Sequence, residues 1–98
     1  MMNEQDKTAV IMRLPSTLSV FSGGKSQLLL NAGTFEQLLG ALEQQYPRVW
    51  EQLCDARGQV RKKIHIYVSN RLVTTPDDLT MALKPGQEII VLPSSVEA

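Results

Sequence analysis

The stretch T-F-E-Q-L-L-G-A-L-E-Q-Q-Y-P, from Thr34 to Pro47, constrains this chain more than any other. Phe35, Leu38, Leu39, Leu42 and Tyr46 recur at helical spacing and make one apolar face. Thr34 with Gln37 three residues on has the form of a capping box: the hydroxyl takes the Gln37 amide, and the Gln37 side chain returns to the Thr34 amide. Glu36 suits the positive end of the helix dipole, and Pro47 stops the helix because the residue before a proline avoids the α region. One amphipathic helix cannot bury its own stripe, so the remaining sequence must supply a surface for it.

That surface reads as a sheet. Thr8–Leu14 is an apolar strand ended by Pro15, and Lys25–Leu30 is a second strand after the Gly23-Gly24 turn. A short connection between them predicts an antiparallel hairpin, with the helix crossing its face. After Pro47, Val49, Trp50 and Leu53 predict a short second helix. In Ile64–Val68, apolar Ile64, Ile66 and Val68 alternate with His65 and Tyr67, the period of a strand covered on one side. Ser69-Asn70-Arg71 is a tight turn into a short return strand at Leu72-Val73, and Thr80–Leu83 reads as one helical turn. Lys84-Pro85-Gly86-Gln87 fits a type II turn. Glu88–Leu92, nearly all apolar, is the last strand, expected in the middle of the sheet and buried on both faces. The order predicts an α+β, β-grasp domain: a mixed sheet of four to five strands, one main helix and a short second one, with the first and last strands as parallel neighbours. Its expected limits are a disordered 1–7, a domain over 8–93 and a flexible tail over 94–98.

Ten basic and ten acidic residues cancel, which removes the positive field that nucleic acid or a membrane surface would require. The single Cys54 has no partner for a disulfide or a thiolate cluster, and no leader or membrane-length apolar run is visible, so the expected compartment is the cytoplasm.

Candidate chemistry is sparse. Gly24-Lys25-Ser26 imitates the end of a phosphate-binding loop, but Ser19 occupies the place of the first glycine and a strand follows instead of a helix. His65 has no triad partner in recognisable spacing and reads as a sheet-surface residue, Cys54 as a packing thiol, and Asp77-Asp78 as solvated turn carboxylates. Arg61-Lys62-Lys63 is a basic strand entry that can guide an acidic partner surface. No acid–base or nucleophile constellation is present, so the chain is not expected to be an enzyme, and no bound cofactor or metal is expected. Two features point instead to a protein partner. Tyr67 beside His65 puts an aromatic on the sheet face away from the helix. The last strand runs out through Leu92-Pro93 into Ser94, Ser95, Val96, Glu97 and Ala98, an end suited to a partner's groove.

The pieces R-L-P-S-T-L with G-G-K, T-F-E-Q-L-L-G-A-L-E-Q-Q-Y-P, I-H-I-Y-V-S-N and L-K-P-G-Q-E-I-I-V-L-P together resemble the MoaD/ThiS sulfur-carrier family, and most of all its CysO-type members. The resemblance implies a ubiquitin-like β-grasp protein serving molybdenum cofactor, thiamin or cysteine biosynthesis. In that family a ubiquitin-activating-type enzyme uses ATP to adenylate a terminal Gly-Gly carboxylate, sulfur is loaded as a thiocarboxylate, and the tail threads into a sulfur-acceptor enzyme such as the large subunit of molybdopterin synthase. The family's glycine pair falls here on Glu97 and Ala98. The resemblance therefore implies either a carrier or a ubiquitin-like binding or regulatory module that is never activated. In both, the contact residues are His65, Tyr67, Leu92, Pro93 and the tail.

Overall fold

In the computed structural model, which describes residues 9–75 and 77–93, the helix expected at Thr34 runs over Phe35–Gln45 (α2). Thr34 is extended, and its hydroxyl accepts the Gln37 amide at 3.1 Å. The Gln37 side chain turns back one residue further than a standard box would take it, since its Oε1 accepts the Gly33 amide at 2.8 Å. A methyl group at Gly33 would sit only 3.2 Å from that same oxygen. Phe35, Leu38, Leu39 and Leu42 are buried, as the spacing requires. Pro47 opens the next helix, Pro47–Leu53 (α3), at a position where its missing N–H costs nothing. Val49 and Leu53 of α3 are fully buried, and Trp50 packs at the border of the core.

Five strands form one sheet in the order β2-β1-β5-β3-β4. They are β1 (Ala9–Arg13), β2 (Gln27–Asn31), β3 (Ile64–Val68), β4 (Arg71–Val73) and β5 (Glu88–Pro93). β1 pairs antiparallel with β2 and parallel with β5, so the first and last strands are central neighbours. β5 pairs antiparallel with β3, and β3 with β4. Met12, Leu28, Leu30, Ile66, Val68, Ile89 and Val91 face the helices and are buried with them in a single core. This is the β-grasp architecture.

The structure corrects three expectations. The link between β1 and β2 is not a short hairpin: it spans residues 14 to 26 and folds into one α-helical turn, Ser16–Ser19 (α1), and a 3-10 turn, Val20–Ser22. Leu18 anchors this link in the core, and the Ser22 hydroxyl closes it, bonding the carbonyls of Ser19 at 2.8 Å and Lys25 at 2.7 Å. Gly23 and Gly24 then carry the chain through φ of 77° and 90°, which side chains resist. Second, Thr80–Leu83 is not helical: Ala82 bridges Thr34, and the Leu83 amide bonds Gly33 O at 2.9 Å, tying the strand approach to the helix start. Third, β5 is central but not buried on both faces. Its residues alternate, with Ile89 and Val91 buried, Ile90 half-buried and Leu92 44% exposed. Both larger helices lie on one side of the sheet, so the continuous apolar run that reads as doubly covered has one face without a helix over it.

The remaining turns follow their sequences. Ser69 and Asn70 both take positive φ, as a two-residue hairpin turn demands. Gly86 has φ of 80°, and the Gln87 amide bonds Lys84 O at 3.0 Å, the pattern of a type II turn. The ends expected to be disordered or flexible, 1–7 and 94–98, lie outside the described residues.

Candidate functional site: the open sheet face and the end of the last strand

Because side chains alternate along a strand, the residues between the buried ones all meet on the helix-free face. On β3 these are His65 and Tyr67, whose rings meet edge to face at 6.3 Å between centroids. Strand register then sets their neighbours. Tyr67 stands opposite Ile90 on one side and Leu72 on the other, and His65 stands opposite Leu92. Arg13 lies across from Ile90 and pairs with Glu88 at 3.0 Å, both side chains being about half exposed. Ile11 and Leu29 extend the apolar strip toward the β2 edge. The result is an apolar and aromatic band crossing the sheet, interrupted by one solvent-screened ion pair. Leu72 at 43% and Leu29 at 62% exposure show how open the band is.

Of the residues singled out from the sequence, the structure therefore brings together His65, Tyr67 and Leu92, with Pro93 at the strand's end. Ser94, Ser95, Val96, Glu97 and Ala98 lie outside the described residues. Sequence reasoning passed over Leu72, Ile90, Ile11 and Leu29. The runs L-L-L and I-I-V-L carry no polar residue to mark a face, so only the pairing partners reveal which members point outward.

Beside Pro93 lies a surface recess of about 740 Å³. Arg61, Lys62 and Lys63 line one part of it and Glu51 and Asp55 another, so the basic strand entry borders the place where the chain leaves β5. The Arg61 Nε is engaged, donating to Glu51 O at 3.1 Å. Asp55 folds its own turn, its Oδ1 accepting the amides of Arg57 at 2.9 Å and Gln59 at 3.1 Å. The Gln59 amide, more than any other influence, draws the Asp55 carboxyl below its ordinary pKa.

Other candidates resolve into structure. Cys54 is buried at the end of α3, and burial, reinforced by the charge of neighbouring Asp55, pushes its thiol up to about 12. Such a thiol is a poor nucleophile. Lys25 stacks its ammonium over the Tyr46 ring at 5.8 Å instead of heading a phosphate loop. Asp78 is not a freely solvated turn residue: one oxygen takes Arg71 at 2.8 Å and the other the Thr74 amide at 2.8 Å, which staples the loop after β4. Among the described residues no cluster of three or more His, Cys, Asp or Glu side chains could hold a metal ion, and no helix is long and apolar enough to cross a membrane. Among the described residues the geometry offers a contact surface and no set of reacting groups.

No family model matches the chain. Among characterised proteins it is 25% identical over 87 residues to the sulfur carrier protein CysO of Mycobacterium bovis, covering 87% of this chain and 94% of that one. Among solved structures, Mycobacterium tuberculosis CysO superposes with a TM-score of 0.76 at 25% identity, over 87% of this chain and 98% of that one. The CysO of Amycolatopsis orientalis, solved as a BexX/CysO complex, gives 0.78 at 20% identity, covering 92% of this chain and 100% of that one. The small archaeal modifier protein SAMP1 of Haloferax volcanii gives 0.75 at 16%, over 92% of this chain and 99% of that one, and bears on the fold alone.

Proposed function

Because the chain is a homologue of the CysO-type sulfur carriers and shares their ubiquitin-like β-grasp fold, we propose that it is a sulfur carrier and not an enzyme. In this reading it docks through the open sheet face and the segment after Pro93 on a ubiquitin-activating-type adenylating enzyme, and then on a sulfur-acceptor enzyme. ATP is consumed by the activating partner, which adenylates the carrier carboxylate and releases pyrophosphate. A sulfur nucleophile then displaces AMP and leaves a thiocarboxylate. The step belongs to cysteine, thiamin or molybdenum cofactor biosynthesis in the cytoplasm. The observation that carries the proposal is the placement of the last strand. Held between β1 and β3 in the middle of the sheet, it shows Ile90 and Leu92 beside Tyr67 and His65 and ends at Pro93 on the rim of the sheet. Aromatic and aliphatic groups gathered on an open face are what a partner's apolar surface can bury. That CysO of Amycolatopsis orientalis has been solved as a complex with BexX supports docking as the mode of action.

One feature favours a second reading. At the family's Gly-Gly positions stand Glu97 and Ala98, which add a side chain, and at Glu97 a negative charge, where glycine would leave a carboxylate unshielded from attack. A ubiquitin-like module that binds the same partners without being activated would tolerate both residues. Intact-mass measurement separates the two readings. Incubated with an adenylating enzyme, ATP and a sulfur donor, a carrier gains the mass of sulfur in exchange for oxygen. An unchanged mass with binding retained assigns the module. Gain of the thiocarboxylate only in the E97G/A98G protein would place the difference in the tail.

A further inference from the structure

The outer edge of β2 carries an inference independent of the carrier reading. The Ile11 amide bonds Gln87 O at 2.9 Å, toward β5, whereas the Leu14 amide bonds Ser26 O at 2.8 Å, toward the β2 side. Even-numbered residues of β1 thus bond β2, and Ile11–Leu29 is a pair without mutual hydrogen bonds. It follows that Leu29, and Gln27 two residues before it, direct their N–H and C=O groups away from the sheet. Edge strands are usually blunted by lysine, proline, a bulge or shortness. This one is five residues, Q-L-L-L-N, with no charge, no proline and an unbroken register to β1. It is also nearly palindromic about Leu29. A two-fold axis there sets Leu28 against Leu30 and Leu29 against its own copy, with no charge on the strand to oppose the pairing.

We propose that β2 pairs antiparallel with β2 of a second copy of this chain, with Leu29 on the two-fold axis, joining two five-stranded sheets into one of ten. An isologous contact needs a self-complementary patch, and this edge supplies both the hydrogen-bond pattern and the side chains for one. On the open face Leu29, 62% exposed, meets Leu29 of the second copy and lengthens the apolar band that Ile11 begins. A single five-residue pairing covers less than the ~1,200 Å² of a stable interface, so the association is weak, with a dissociation constant on the order of 0.1 mM. The pairing leaves β5, β3 and β4 free, since they lie on the far side of β1.

Analytical ultracentrifugation of the full chain up to about 1 mM, roughly tenfold above that dissociation constant, reads the association. Leu29→Lys and Leu29→Glu each place like charges on the axis and are expected to weaken dimerisation at least tenfold, while an equimolar mixture of the two variants restores it. Leu29→Pro removes an amide that the sheet does not use and is expected to abolish the dimer with the far-UV circular dichroism of the fold retained. A protein monomeric at every concentration overturns the proposal and leaves the edge to an extended segment of another protein. A dimer insensitive to the single charges, or a mixture that stays monomeric, overturns it equally, since the axis then does not pass through Leu29.

Discussion

Replacing Ile89 and Leu92 by alanine, one at a time, reads out the two faces of β5. Ile89 is fully buried between the helices and the neighbouring strands, while Leu92, three residues on in the same strand, is 44% exposed on the open face. Truncating a fully buried isoleucine removes its transfer free energy and leaves a cavity, together about 2–5 kcal/mol. Leu92 keeps roughly half its surface in water, so of the ~1.5–3 kcal/mol for full burial only about 1 kcal/mol is at stake, and solvent fills the gap. Domains of this size are stable by about 5–15 kcal/mol in all, and 1 kcal/mol moves their melting midpoint by about 4–8 °C. Ile89→Ala is therefore expected to lower the midpoint by at least about 8 °C, and at least about twice as far as Leu92→Ala, whose loss should not exceed about 8 °C. Thermal melts followed by circular dichroism, checked by urea titration with an unchanged slope, measure both. Equal losses at the two positions would refute the argument, because they would mean that the outer face of β5 is covered in the folded monomer.

Thr34→Ala removes the hydroxyl that accepts the Gln37 amide and is expected to cost about 1 kcal/mol in urea unfolding, with no change in the sheet's spectroscopic signature. The Cys54 thiol should resist alkylation at neutral pH in the folded protein and react rapidly in urea. Its folded pKa of about 12 lies above the 9.0 of a free thiol, so its contribution to stability is complete below pH 9 and is lost as pH rises from about 9 to 12, which unfolding titrations across that range would follow.

How much of this was legible beforehand depended on whether a segment's pattern was local. The main helix could be placed from spacing and its cap, because Thr34, Gln37 and Pro47 act within a few residues of the ends they set. The turns at Ser69-Asn70 and at Pro85-Gly86 were equally readable, since they depend on which residues accept positive φ. The link between β1 and β2 was not. The helical turn at Ser16–Ser19 carries no internal period and is held by one long-range anchor, Leu18, and by the Ser22 hydroxyl. Likewise E-I-I-V-L shows that β5 is apolar but not how many of its faces are covered, which depends on both helices packing on one side. The contact band was half readable: His65 and Tyr67 alternate visibly with aliphatic neighbours, whereas Ile90, Leu72 and Leu29 are assigned to it only by register.

The most direct test of the account is an amide NMR titration of the isotope-labelled protein with an unlabelled adenylating enzyme. Docking through the open face predicts shifts or broadening centred on His65, Tyr67, Leu72, Ile90 and Leu92, with the α2 and α3 amides unmoved. Perturbations confined to α2 and α3, with those sheet residues unchanged, would contradict it.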